Sequence, residues 1–143
     1  MRPLRSYALA SAWFGVLIRA AAPEDFWILH GLGRFLADSS LLQSWPSGVA
    51  EAEVAARIYE ESQLWHSMVQ NGQDLQILCG NALMARGSVA EMLGAVREVK
   101  SYLVCHQLCR LLGWNAFHQC LAMLLQNFSN RSINTSQFLE KLS

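Results

Sequence analysis

Apolar residues recur along this chain at helical rather than strand spacing, and turn-forming clusters divide it into a succession of helical stretches. The longest uninterrupted pattern runs from Ser88 to Gly113. Ser88 followed three residues later by Glu91 is a capping box, and Gly113 suits the left-handed position just past a helix end, so both ends are specified locally. In its first half Val89, Met92, Leu93, Val96, Val99 and Leu103 share one side, opposite Glu91, Arg97, Glu98 and Ser101. From Val104 the apolar face turns to Val104, Cys105, Leu108, Cys109 and Leu112. The helix is therefore expected either to serve two neighbours along its length or to break near Ser101 to Leu103.

The remaining stretches follow the same logic. Pro23, Glu24 and Asp25 start a helix expected to run to about Ala37, with Phe26, Ile28, Leu29, Leu32, Phe35 and Leu36 on its apolar face. Asp38-Ser39-Ser40 reads as its end, and Trp45-Pro46-Ser47-Gly48 is the sharpest break in the chain. A helix from Val49 to Gln70 stops at Asn71-Gly72 and turns Val54, Ile58, Trp65, Met68 and Val69 inward. Glu61 falls inside that stripe, either as a buried ion-pair partner or reaching out from the edge; the edge is the expectation, because unpaired burial of a carboxylate is strongly unfavourable. Asp74 caps a shorter helix to Arg86 that faces Leu75, Leu78, Cys79, Ala82 and Leu83 inward. Asn115 reads as the cap of a last helix carrying Ala116, Phe117, Leu121, Leu124 and Leu125. Residues 129–143 read as a polar tail with a final turn from Ser136. These elements predict a single all-α domain of antiparallel helical hairpins, stacked as a short α-solenoid or an irregular bundle.

The first 22 residues leave three readings open. Arg2, Arg5 and Arg19 with Ser6 and Ser11 and no acid suit an organelle transit peptide; the apolar run Tyr7 to Ile18 before Ala20-Ala21-Ala22 suits a secretory signal; an ordinary first helix would pack Leu9, Trp13, Val16 and Leu17. The expected compartment is accordingly a mitochondrion or other organelle, with cytoplasm and secretion as alternatives.

Composition narrows the function classes. The 143 residues are 52% hydrophobic, enough for one core, and carry 11 basic and 11 acidic residues, so no whole-molecule field favours nucleic acid or an anionic membrane. No stretch approaches the roughly 20 apolar residues of a membrane span. Four cysteines, Cys79, Cys105, Cys109 and Cys120, lie within helical patterns rather than a disulfide framework, which points to a reducing compartment.

Two internal similarities stand out. Shifting the chain by 40 residues superimposes Val49-Ala50-Glu51 on Val89-Ala90-Glu91, Arg57 on Arg97 and His66 on His106, as stacked helical hairpins would. In another register, Met68 to Gly72, then Gly80-Asn81-Ala82-Leu83-Met84, then Gly87 to Met92 and Arg97 to Ser101 resemble the pentatricopeptide repeat family. Trp114-Asn115-Ala116-Phe117 looks like the next repeat start, 34 positions after Asn81. The resemblance covers about Ile58 to Leu125. It implies an organellar RNA-binding solenoid, with Asn81 and Asn115 at base-reading positions. The pattern departs from the family between Met84 and Gly87 and over the apolar stretch Tyr102 to Leu112, and no basic groove for phosphates is evident. Outside the family reading, both asparagines are helix caps or turn residues.

Candidate chemistry is sparse. Cys105, His106 and Cys109, with His118 and Cys120 beyond the turn, are metal-ligand types, but cysteines on an apolar face ordinarily serve as small core residues, so no metal or other cofactor is expected. The sequence has no phosphate-binding loop, GxSxG or HExxH, so no enzyme activity or small-molecule substrate is indicated. Asn127, Asn130 and Asn134 each begin a glycosylation sequon, which would matter in a small secreted helical ligand. Of the five tryptophans, Trp45 and Trp114 lie beside turns and are the expected partner anchors. The function expected first is a non-catalytic scaffold that contacts other protein subunits in a larger assembly; an RNA-binding repeat protein and a small secreted helical ligand are the alternatives.

Overall fold

The computed structural model describes residues 13–71 and 87–143. It is mostly helical, as the hydrophobic spacing predicts. Among the described residues the α-helices are α1 (Phe26–Ser44), α2 (Val49–Gln70), α3 (Gly87–Leu112), α4 (Trp114–Phe128) and α5 (Thr135–Leu142), with short parallel strands β1 (Ile18–Ala20) and β2 (Arg131–Ile133). The predicted shorter helix from Asp74 to Arg86, and Asn81 within it, lie outside the described residues.

Two elements end where expected. α2 has the predicted bounds, and Gly113, at φ 90°, ends α3 by donating its N–H to the Cys109 carbonyl at 2.9 Å. α3 is continuous through Ser101 to Leu103.

α1 differs from expectation: it passes through Asp38-Ser39-Ser40 and ends at Ser44. Asp38 and Ser39 are both buried, and each has a partner there. Ser39 Oγ donates back to the Phe35 carbonyl at 3.1 Å, and Asp38 is held by α2 and α3. The added length lets Leu41 join Ala50 and Val54 in a second small core, against which Trp45 is partly buried.

The main core lies between α1, α3 and α4. Phe35, on α1, is its hub, edge-on to Phe117 at 4.9 Å and His106 at 5.0 Å between ring centroids. α1 approaches α3 most closely at Gly31, where an added Cβ would lie 2.7 Å from the Ser101 carbonyl oxygen and 2.8 Å from Cys105 Sγ. Ser101, expected on the polar side, is fully buried here; its hydroxyl donates to the Glu98 carbonyl at 3.0 Å. Only a glycine opposite leaves room for that approach.

The two ends of the described chain meet. Trp13–Leu17 is an irregular turn with Phe14 buried and Trp13 and Val16 exposed, in place of a first helix packing Trp13, Val16 and Leu17. β1 then pairs with β2, Ile18 beside Arg131 and Ala20 beside Ile133. The stretch after Phe128, expected as a polar tail, is folded: Asn134 caps α5 in a capping box with Gln137, and Phe138 is fully buried edge-on to Trp27. Trp27 Nε1–H donates to Thr135 Oγ1 at 3.1 Å, and Thr135 donates its N–H and its hydroxyl to Asp25 Oδ1, both at 2.8 Å.

Candidate functional site: a charged helix junction and its cleft

Where α1, α2 and α3 meet, each helix contributes two residues one turn apart: Arg34 and Asp38, Arg57 and Glu61, Tyr102 and His106. Asp38 is paired with Arg57 Nη1 at 3.0 Å, and Arg34 with Glu61, so α1 and α2 run antiparallel. Tyr102 Oη and His106 Nε2 donate to Asp38 Oδ2 at 2.5 and 2.9 Å, and the Arg34 guanidinium lies 4.2 Å above the Tyr102 ring centroid. Arg57 Nε also reaches Glu53 on its own helix at 3.2 Å.

Glu61 is thus an ion-pair partner turned inward, rather than a carboxylate leaning out from the edge. Arg34, provided by α1, is what makes that placement tolerable. The two carboxylates Asp38 and Glu61 are balanced by the two guanidiniums, which is the condition for holding charges this far from water.

Burial by itself would push the Asp38 carboxyl up. The hydrogen bonds from His106 and Tyr102 and the charges of His106 and Arg57 outweigh it and hold the group below its ordinary value of 3.8. Tyr102 is driven the other way, by burial first and then by its bond to the Asp38 carboxylate, so its hydroxyl stays protonated as a donor. Burial also raises the Cys105 and Cys109 thiols.

Beside the junction a cleft of about 510 Å³ opens between α2 and α3. Ile58, Ser62 and Trp65 form one wall at helical spacing; Lys100, Leu103, Val104, Gln107 and Arg110 form the other, with His106 at the edge shared with the junction. The Lys100 ammonium sits 5.4 Å from the Trp65 ring centroid.

The predicted candidates are dispersed. Cys105 and Cys109 face the core, whereas His106 turns to Asp38; among the described residues no three His, Cys, Asp or Glu side chains group as a metal site. His118 Nδ1–H donates to the Trp114 carbonyl at 2.9 Å, its Nε2 lies 3.3 Å from Ser39 Oγ, and its ring stacks 4.2 Å from that of Trp114. Trp114 keeps 40% of its surface exposed. Asn115 is exposed inside the first turn of α4 and does not cap it; the cap position is Gly113. Of the sequon asparagines, Asn127 and Asn130 are exposed, and Asn134 Oδ1 accepts the Gln137 N–H at 2.8 Å.

Sequence reasoning passed over Asp38, Arg57, Tyr102, Lys100 and Arg110. A signal was present: Arg34/Asp38 and Arg57/Glu61 are opposite charges spaced by one helical turn inside otherwise apolar stretches. Neither a family model, nor a curated protein, nor a solved structure matches this chain.

Proposed function

We propose that this protein is a non-catalytic helical subunit, built of packed helical hairpins, that docks other protein chains in a larger, organellar assembly. The observation that supports it is the corner between α3 and α4, where Leu111 is 72% exposed and the neighbouring Leu112 and Trp114 are also exposed. Contiguous apolar surface of this kind marks contact sites in proteins that act through partners. Trp114 is held against His118 and lies 6.3 Å from Phe35, so it presents a fixed aromatic face and loses little freedom on docking. α2 supports the same reading: only Ala50 and Val54 are buried along it, and Tyr59 is 65% exposed.

Sedimentation of the native protein from a gentle lysate, with and without ribonuclease, tests this. A large particle indifferent to ribonuclease, lost on Leu111→Ser with the fold intact, is the expected result. A particle that shrinks on digestion would favour RNA binding, and migration as a 16.0 kDa monomer in both would overturn the subunit reading.

A further inference from the structure

Independently of that corner, the irregular turn Trp13–Leu17 presents an apolar tip to solvent. Val16 is 68% exposed and Trp13 50%, and Leu17 is exposed beside them, whereas Phe14 is buried in the main core. Phe14 pins the turn, so its neighbours project. Leu17 is fixed as well: its carbonyl accepts the Asn130 N–H at 2.7 Å, just where β1 begins to pair with β2. Side chains alternate along β1, with Ile18 buried and Arg19 exposed, and Arg131, paired beside Ile18 on β2, is exposed too. We propose that this tip docks on an anionic lipid surface, with Trp13, Val16 and Leu17 entering the headgroup boundary and Arg19 and Arg131 meeting lipid phosphates.

Charge and shape together select that partner. The chain has no net charge, yet its sequence before Glu24 holds Arg2, Arg5 and Arg19 and no carboxylate. Asp25, which follows, is buried and turned to Thr135. The field near the tip is therefore locally basic, and anionic headgroups attract such a stretch within a Debye length. Tryptophan suits the headgroup depth, because its ring is apolar and its indole N–H polar. A projecting tip enters a bilayer that yields around it, whereas a protein partner would need a pocket of matching shape. The turn is already held by Phe14 and the Asn130 bond, so docking orders little further chain. Among the described residues no helix is long and apolar enough to cross a membrane, and the contact proposed lies at its surface.

Co-sedimentation of the full chain with vesicles tests the assignment, comparing phosphatidylcholine alone with phosphatidylcholine containing phosphatidylglycerol. Binding is expected to the mixed vesicles and should weaken as salt is raised. Arg19→Gln should reduce it about fivefold, the share of one cation at an anionic surface. Val16→Asp, at an exposed position where the circular dichroism spectrum should not change, is expected to reduce it about tenfold or more. Trp13→Phe should keep most of the binding but remove the quenching of tryptophan emission by brominated lipid. Leu111→Ser, at the corner between α3 and α4, should bind vesicles as the native sequence does. Equal binding to neutral vesicles, full binding in Val16→Asp, or quenching that survives Trp13→Phe would each overturn the proposal. So would an absence of vesicle binding while Val16→Asp releases the chain from its native particle, which would assign the tip to a protein partner.

Discussion

Tyr102 Oη donates a 2.5 Å hydrogen bond to Asp38 Oδ2, joining α3 to α1 across 64 residues of sequence. That bond is the centre of the polar junction. Its two partners also touch Arg34, Arg57 and His106, so three further side chains, one from each helix, depend on one carboxylate and one ring. Tyr102→Phe removes a single donor to a charged acceptor and is expected to destabilise by about 2 kcal/mol. Asp38→Ala strands Tyr102 and Arg57 together and is expected to cost about 3 kcal/mol or more. Urea unfolding of both variants gives the comparison; a smaller loss for Asp38→Ala than for Tyr102→Phe would contradict it.

The same carboxylate sets an acid limit. Because Arg57 on α2 and Tyr102 and His106 on α3 hold Asp38 below its ordinary value of 3.8, the folded chain binds this proton less readily than the unfolded chain. Its contribution is fully present above the unfolded value and is lost as pH falls through the folded one. The stability gap between the native sequence and Asp38→Asn should therefore narrow below about pH 4. A gap that widened there, measured by urea midpoints, would show the wrong sign.

Gly31 limits how closely α1 and α3 approach. Gly31→Ala places a methyl 2.7 Å from a backbone oxygen, which cannot rotate aside, and 2.8 Å from Cys105 Sγ. A loss of about 1 to 3 kcal/mol is expected from the forced separation. Adding Cys105→Ala should recover only part of it, since the clash with the Ser101 carbonyl persists. Full recovery in the double variant would place the constraint on the sulfur alone.

Thr135 ties α5 to the start of α1. Thr135→Val keeps the shape but removes the hydroxyl that accepts from Trp27 and donates to Asp25. A loss of about 1 to 2 kcal/mol is expected. Amide hydrogen exchange in α5 should rise more than in α3 if the bond acts locally; uniform acceleration would show α5 to be inseparable from the main core.

The sequence alone determined what is decided within a turn or two of helix. The all-α class, the bounds of α2 and the Gly113 stop on α3 follow from spacing and caps that act on their own neighbours. The apolar stripe Phe117, Leu121 and Leu124 of α4 is buried as its spacing predicts. Only tertiary structure decided the rest. Asp38-Ser39-Ser40 has the composition of a helix end, yet α1 continues because Tyr102, His106 and Arg57 arrive from elsewhere to satisfy the carboxylate. Glu61 turned inward because Arg34 stands opposite it, and Ser101 because Gly31 does. The polar stretch after Phe128 folded because Asp25 and Trp27, more than a hundred residues away, bind Thr135. A polar residue's local preference is weak, about 1 kcal/mol or less, whereas leaving a buried charge unmatched costs several times that, so the distant partner prevails.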